Sequence, residues 1–322
     1  MSATTSSVSR PRWRGRSAGD FIREYFVYIA LVALIVFFSI ASPYFLTPDN
    51  FANIGRQTAT VSIVAVGMTF VIITGQIDLS VGSVFALCGM AAAMVMQYVS
   101  NFWLLGALAA VAVGIVFGFV NGFITAKLGV PSFLVTLGML GVARGIALLI
   151  TDTRPVLISN PTYFQVFGES RILGIPIAVV WTIAIVVLGV LVLHKSVFGM
   201  RTFATGGNPQ AARFTGVKTK KTVIIGFVIT GALVGLASLL FTGIAHAARP
   251  DIGSGLELDV IAAVILGGVS LFGGRGTVIG ALAGSLIIGI MNNGLVLMGV
   301  SSSVQQIIKG IIIIGAVSLS KK

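Results

Sequence analysis

No charged residue interrupts the chain between Asp78 and Lys127. A helix needs about 20 apolar residues to cross a bilayer, so this stretch alone holds two crossings. Only length divides them, near Asn101. The whole chain is 56% hydrophobic and 9% charged, against about 25% charged in a soluble domain. That gap excludes a large soluble core and predicts an integral membrane protein. The 40 glycines suit closely packed transmembrane helices. A formal charge of +12 would suggest nucleic acid in a soluble chain. Here the basic residues cluster in a few short segments, so they set orientation and no nucleic-acid partner is expected. Cys88 is the only cysteine, which excludes an internal disulfide and a multi-cysteine metal site.

The sequence predicts an all-α polytopic protein with spans near 25–42, 57–76, 80–98, 103–123, 133–150, 176–194, 222–243, 258–270, 277–297 and 303–320. The first is too long for the apolar region of a signal peptide, about 7–15 residues, and reads as a retained helix. Residues 1–22 form a polar, Ser/Arg-rich tail, expected to be disordered, and 23–322 a single transmembrane domain. The stretch 258–270 is short enough for a partial or re-entrant helix, which protein must cover. Lys/Arg bias in short loops places the Arg-rich N-terminus in the cytoplasm, together with loops 124–132, 195–221, 271–276 and the Lys321-Lys322 tail. The opposite loops hold Arg56, Arg154, Arg171 and Arg249 beside Asp49, Asp152, Glu169, Asp251 and Glu257. Ten helices with both termini cytoplasmic satisfy both criteria.

An internal echo accompanies this count. "QIDLSVGS" around Asp78 and "ELDVIAAV" around Asp259 lie five helices apart, as do "GFVNGF" and "GIMNNGL". An odd interval inverts the copies, and inverted repeats are a transporter signature with the path at their interface. The Gly-rich "GGVSLFGGRGTVIG" (267–280) lacks the Lys-Ser/Thr of a phosphate loop. Gly276, Gly280 and Gly284, like Gly114, Gly118 and Gly122, instead show small-xxx-small spacing for close helix packing.

Catalytic and metal-binding constellations are not expected, since His194 and His246 have no acidic or Cys neighbours at ligand spacing. The candidate path residues are Asp78, Ser80, Asn121, Arg144, Asp259, Asn293 and Gln305. Asp78 and Asp259 fall at helix starts, where a carboxylate either caps free amides or contacts substrate. Arg144 lies inside a span and serves either a structural pairing or a polar path lining; Lys309 in the last span is similar. Asn121, Asn292 and Asn293 suit bonds between helices.

One segment is out of keeping. "VFGMRTFATGGNPQAARFTGVKTKK" (197–221) carries Arg201, Arg213, Lys218, Lys220 and Lys221 and no acid. Within it, "NPQAARFTG" reads as a helix starting at Pro209, capped by Asn208 and stopped by Gly216. So short a helix is unstable alone in water, and its apolar face (Ala211, Ala212, Phe214) needs a partner surface. Loop 195–221 is therefore a docking element, with a basic loop lying on anionic lipid as the alternative.

The string Gln210-Ala211-Ala212-x-x-x-Gly216 resembles the Ala-Ala-x-x-x-Gly core of the cytoplasmic coupling loop in permeases of ATP-binding-cassette importers. The preceding "FGMRTFATGGN" is similar to that family's loop, with Gly199, Ala204, Gly206, Gly207 and Asn208 matching and the basic residue displaced to Arg201. "GQIDLSVGS", "VPSFLVTLGMLGVARG", "ELDVIAAVILGGVSLFGGRGTVIG" and "NNGLVLMGVSS" extend the resemblance from about residue 40 to the C-terminus. Gln76 stands where the family usually has glycine. The pattern is that of a ribose-type monosaccharide permease.

The resemblance implies a homodimeric channel in the bacterial inner membrane. A periplasmic sugar-binding protein would dock outside, and a separate ATPase would grip the coupling loop through Gly199, Arg201, Gly206, Gly207, Asn208, Ala211, Ala212, Arg213 and Gly216. No cofactor is expected in this chain, because ATP and Mg²⁺ would be bound by the ATPase. A branched-chain amino acid permease and an ion-coupled carrier are the competing functions; a membrane-embedded enzyme is the weakest.

Overall fold

The computed structural model describes residues 18–319. Most of the predicted polar tail (1–22) and the Lys321-Lys322 end lie outside the described residues. Among the described residues the chain is helical almost throughout, and ten helices overlap the ten predicted apolar segments. These are α1 (Ala18–Ala41), α2 (Pro48–Ile73), α3 (Val81–Met94), α4 (Trp103–Phe123), α5 (Ser132–Leu149), α7 (Ile177–Lys195), α10 (Thr219–Ala245), α11 (Leu256–Leu266), α12 (Val278–Leu297) and α13 (Ser302–Leu319). Three shorter helices join them: α6 (Pro161–Phe167), α8 (Val197–Gly207) and α9 (Pro209–Phe214). Among the described residues, seven helices, α2, α3, α4, α5, α7, α10 and α12, with α3 and α4 counted to Val99 and Leu128, are long and apolar enough to cross a membrane.

Local chemistry explains the boundaries. Thr47 caps α2 by accepting from the Asn50 amide, with Pro48 and Asp49 in the first turn. That is the usual grammar of a helix start. The charge-free stretch breaks at Ser100–Phe102, and α3 and α4 each end in a π-helical turn, Val95–Val99 and Ile124–Leu128. Gly129, at φ +77°, then stops the second of these turns. Four two-residue strands, absent from the sequence reading, form two antiparallel pairs. β1 (Val156–Leu157) joins β4 (Ala247–Ala248), and β2 (Arg171–Ile172) joins β3 (Ile175–Pro176).

The central element is α2, which packs against α7, α10, α11 and α12. Its second half, Ile63–Ile73, is the middle of the largest hydrophobic cluster. A second cluster joins α1, α11 and α12 through Phe38, Ala262, Ala263, Ile288 and Met291. Without water, close van der Waals contact is the main force between such helices. Gly114, Gly118 and Gly122 lie against the backbone of α10, and a Cβ on either Gly114 or Gly231 would enter the other's carbonyl. Gly280 and Gly284 press likewise on Gly267 and Ala263. Gly276 does not belong to that helical row: it precedes α12, at φ +152°. Hydrogen bonds such as Ser62 to Ser285 (2.6 Å) and Asn293 to Asn50 (2.9 Å) supplement this packing. Each contributes on average about 0.6 kcal/mol in a membrane.

Two stretches depart from the helical rule. The chain from Thr74 to Ser80 is non-helical and leads from the end of α2 into α3. After α10, His246 (φ +55°) turns the chain into β4. It then runs antiparallel along the first turns of α3, with Ala248 near Gly89 and Gly253 on Gly82. Gly255, at φ +83°, opens α11. That helix has 11 residues, about 16 Å at 1.5 Å per residue, roughly half a hydrocarbon core.

Candidate functional site

The two non-helical stretches lead into the starts of α3 and α11, where the interior acids Asp78, Glu257 and Asp259 lie. Asp78 is 3% exposed and accepts hydrogen bonds from the Ser80 amide (2.9 Å) and the Ser80 hydroxyl (2.6 Å). The Asn121 side-chain amide donates to Ser80 Oγ at 2.9 Å, so α4 closes a chain from Asn121 through Ser80 to Asp78. Asn121 Oδ1 remains buried without a protein partner. Asp78 therefore caps the turn just ahead of α3 and not the helix itself. The stretch is also tied to α5, because Ile77 donates its amide to Ser132 Oγ at 3.1 Å.

Across from it lies the α11 start. A Cβ on Gly82 would overlap both the Gly253 carbonyl and the Glu257 carboxylate, so only glycine lets α3 approach so closely. Glu257, assigned by sequence to an outer loop, is instead half-buried in the first turn of α11. The signal that could have found it is its spacing from Asp259, which puts two acids in one helix start. Arg144 on α5 donates to the carbonyls of Pro250 and Ile252 and to Ser254 Oγ (3.3 Å). It thereby satisfies the backbone of a segment with no strand or helix partner there. Asp259 pairs with Lys309 Nζ of α13 at 2.9 Å. Asn293 and Gln305 lie apart from this group: Asn293 bonds Asn50 at the start of α2, and Gln305 donates to the Val300 carbonyl.

The basic loop forms two helices. The expected one, α9, starts at Pro209 with Asn208 Oδ1 accepting from the Ala211 amide at 3.0 Å, and Gly216 (φ +84°) follows it. The unexpected one, α8, is capped by Ser196, whose Oγ accepts from the Gly199 amide at 3.2 Å. Gly199 sits on the Leu193 carbonyl with no room for a side chain. Gly206 sits equally tightly on the Ile73 carbonyl, which also accepts from the Gly274 amide at 2.9 Å. Phe198 stacks on Phe70 of α2. The predicted apolar face of α9 divides in two: Ala212 is buried against the chain's own body, while Ala211 and Phe214 (92% exposed) point outward. Arg201 and Gln210 are exposed beside them, and Arg213 Nε donates to Thr219 Oγ1 at 3.0 Å.

A bundle of apolar helices with a buried carboxylate just ahead of α3, half-buried ones at the α11 start that packs on α3, and a capped basic helix pair defines a polytopic membrane transport subunit. The chain belongs to the family described as "Branched-chain amino acid transport system / permease component", whose model matches residues 50–317. It is 44% identical to the ribose import permease protein RbsC of Bacillus subtilis, over 92% of each chain. To the protein of the same name in Escherichia coli K12 it is 42% identical over 99% of each. It is also 34% identical to the L-arabinose transport system permease protein AraH of Escherichia coli K12, over 98% of this chain and 96% of that one. No solved structure matches.

Proposed function

We propose that this chain is the membrane subunit of an ATP-binding-cassette importer that moves a monosaccharide, ribose or a related pentose or polyol, across the bacterial inner membrane. It crosses ten times with both termini in the cytoplasm, and two copies form the channel. A periplasmic sugar-binding protein delivers the substrate. A partner ATPase, holding ATP and Mg²⁺, drives transport. The stretches entering α3 and α11 are inverted counterparts, each carrying acids to the membrane interior. Their support is the Gly82–Gly253 contact, where the stretch entering α11 touches the first turn of α3.

One observation carries the mechanism: α8 is seated at once on the end of α2 and on the loop that follows α11. Gly206 rests on the Ile73 carbonyl, and Gly274 shares that carbonyl. When the ATPase closes around the outward residues Gln210, Ala211 and Phe214, α9 and α8 shift as one body. Ile73 is only five residues from Asp78, at most about 17 Å of extended chain. Movement at Ile73 therefore reaches the Asp78–Ser80–Asn121 group through short, constrained backbone. Through Gly273-Gly274 the same shift reaches the end of α11, whose start bears Glu257 and Asp259. The path thus opens and closes at the junction. Carboxylates there accept from sugar hydroxyls and Asn121 supplies a free acceptor. Such contacts need only be weak, since a transit path must release what it binds.

Uptake of labelled ribose by the reconstituted complex, with labelled leucine in parallel, tests this reading. Saturable ATP-dependent ribose flux is expected. The family description favours leucine as the second reading, and leucine-only transport would establish it instead. Flux that survives removal of the ATPase would indicate an ion-coupled carrier.

A further inference from the structure

A cavity of about 370 Å³ opens beneath the Asp78 group, between the 74–80 stretch, the π turn that ends α4, α8 and the start of α10. Its polar lining includes Thr74, Gln76, Thr125, Thr205, Arg213 and Lys220. Thr125 and Thr205 are 8% and 3% exposed, and the hydroxyl oxygen of each has no hydrogen-bond partner in the protein. Buried hydroxyls are normally satisfied, so two orphans on residues that line one cavity point to a polar occupant. Arg213 and Lys220 also line an adjoining cavity of about 570 Å³, whose wall adds Lys127, Lys218 and Lys221 and contains no carboxylate among the described residues. Three of these lysines stand at the first turn of α10, where the helix dipole disfavours cations and favours anions. Orientation in the membrane accounts for the positive charge. It does not account for the hydroxyl-lined chamber behind it.

We infer that this double cavity binds a phosphate ester of a small polyol from the cytoplasm, its hydroxyls on Thr125, Thr205 and Gln76 and its phosphate on Arg213 and Lys220. A volume of about 370 Å³ falls within the range of small-ligand pockets. The walls include α8, α9 and the 74–80 stretch, so an occupant ties together the parts that must move for transport. On the sugar-import reading, on which only the choice of ester rests, a phosphorylated sugar would hold the permease still when the cell is already supplied.

Binding is measured on the full-length chain in phosphatidylcholine nanodiscs, by calorimetry and thermal shift, without ATPase or uptake. Ribose 5-phosphate is expected to bind saturably, and ribose and inorganic phosphate at least tenfold more weakly. Lys220→Ala should weaken ribose 5-phosphate about tenfold or more. Thr125→Val and Thr205→Val should weaken it severalfold while leaving melting of the free protein unchanged or raised, because each removes an unsatisfied buried hydroxyl. Equal binding of inorganic phosphate would overturn the polyol part. Stabilisation seen only when phosphatidylglycerol is added to the nanodisc, and never with the soluble ester, would make the site a lipid-headgroup site and overturn the proposal. Valine variants that bind the ester like the parent would also overturn it.

Discussion

Asp259 and Lys309 show what a single pair of residues decides inside a membrane. Their side chains are 18% and 23% exposed and 2.9 Å apart. A charge stranded at such depth is costly, whereas removing both partners together leaves none behind. Either Asp259→Ala or Lys309→Ala should destabilise the chain by about 2 kcal/mol, below the 3–5 kcal/mol of a fully buried pair because water partly reaches this one. A double replacement by Leu and Met should recover most of the loss. Thermal melting in nanodiscs checks this, and strictly additive losses would show that the two do not act as a pair. Arg144 works differently, because its partners are the Pro250 and Ile252 carbonyls and the Ser254 hydroxyl rather than a carboxylate. Arg144→Ala should reduce flux at least tenfold with less than a twofold fall in membrane expression. Arg144→Lys, with one compact ammonium in place of a planar fork, should fall between the two. An Ala variant that fails to insert would assign Arg144 to assembly alone.

At the scale of elements, two contacts without side chains hold the mechanism together. The first is α4 on α10, where Gly114 meets Gly231. Gly114→Val should destabilise by about 3 kcal/mol or more, the upper end of overpacking costs, because neither backbone can withdraw without parting the helices. The second is α8 on the Ile73 carbonyl. Gly206→Val should leave insertion intact but uncouple ATP hydrolysis from flux, since it separates α8 from the end of α2 and from Gly274 in the loop after α11. ATPase activity that persists while uptake falls tenfold or more is the expected pattern, and full coupling would remove α8 from the transmission path. The split face of α9 sharpens a further test. Ala211→Asp with Phe214→Asp should abolish co-purification of the ATPase. Ala212 is unsuitable for that test because its side chain packs inward.

For the whole molecule, orientation is open to direct measurement. Cys88 is the only cysteine and is buried, so a Cys88→Ala background accepts single reporters. Phe214→Cys at the end of α9 and Leu173→Cys at the tip of the β2–β3 hairpin are both almost fully exposed positions. A membrane-impermeant maleimide applied to spheroplasts should label position 173 and not 214, and inside-out vesicles should reverse the result. Labelling of both from one side would break the ten-crossing arrangement.

The amino-acid order alone determined the helices of the ten apolar segments and α9, because hydropathy, caps and glycine spacing act within one turn or one span. The break at Ser100–Phe102, the Asn208 cap and the Gly114-Gly118-Gly122 stripe were all legible that way, and so was the resemblance of residues 197–221 to a coupling loop. Tertiary structure decided what those helices do with one another. Glu257 looked like a loop acid until the chain from Ala248 to Gly255 folded back along α3 and carried it inward. Gly276 fell outside its expected row, Ala212 turned toward the body, and α8 took its place under Ile73. The places of Glu257 and α8 depend on contacts between residues more than a hundred positions apart, and such contacts leave no periodicity in the local sequence. The physical reason is one of range: backbone propensity and membrane transfer energy are local sums, whereas the meeting of Gly82 with Gly253 is set by how the whole bundle closes.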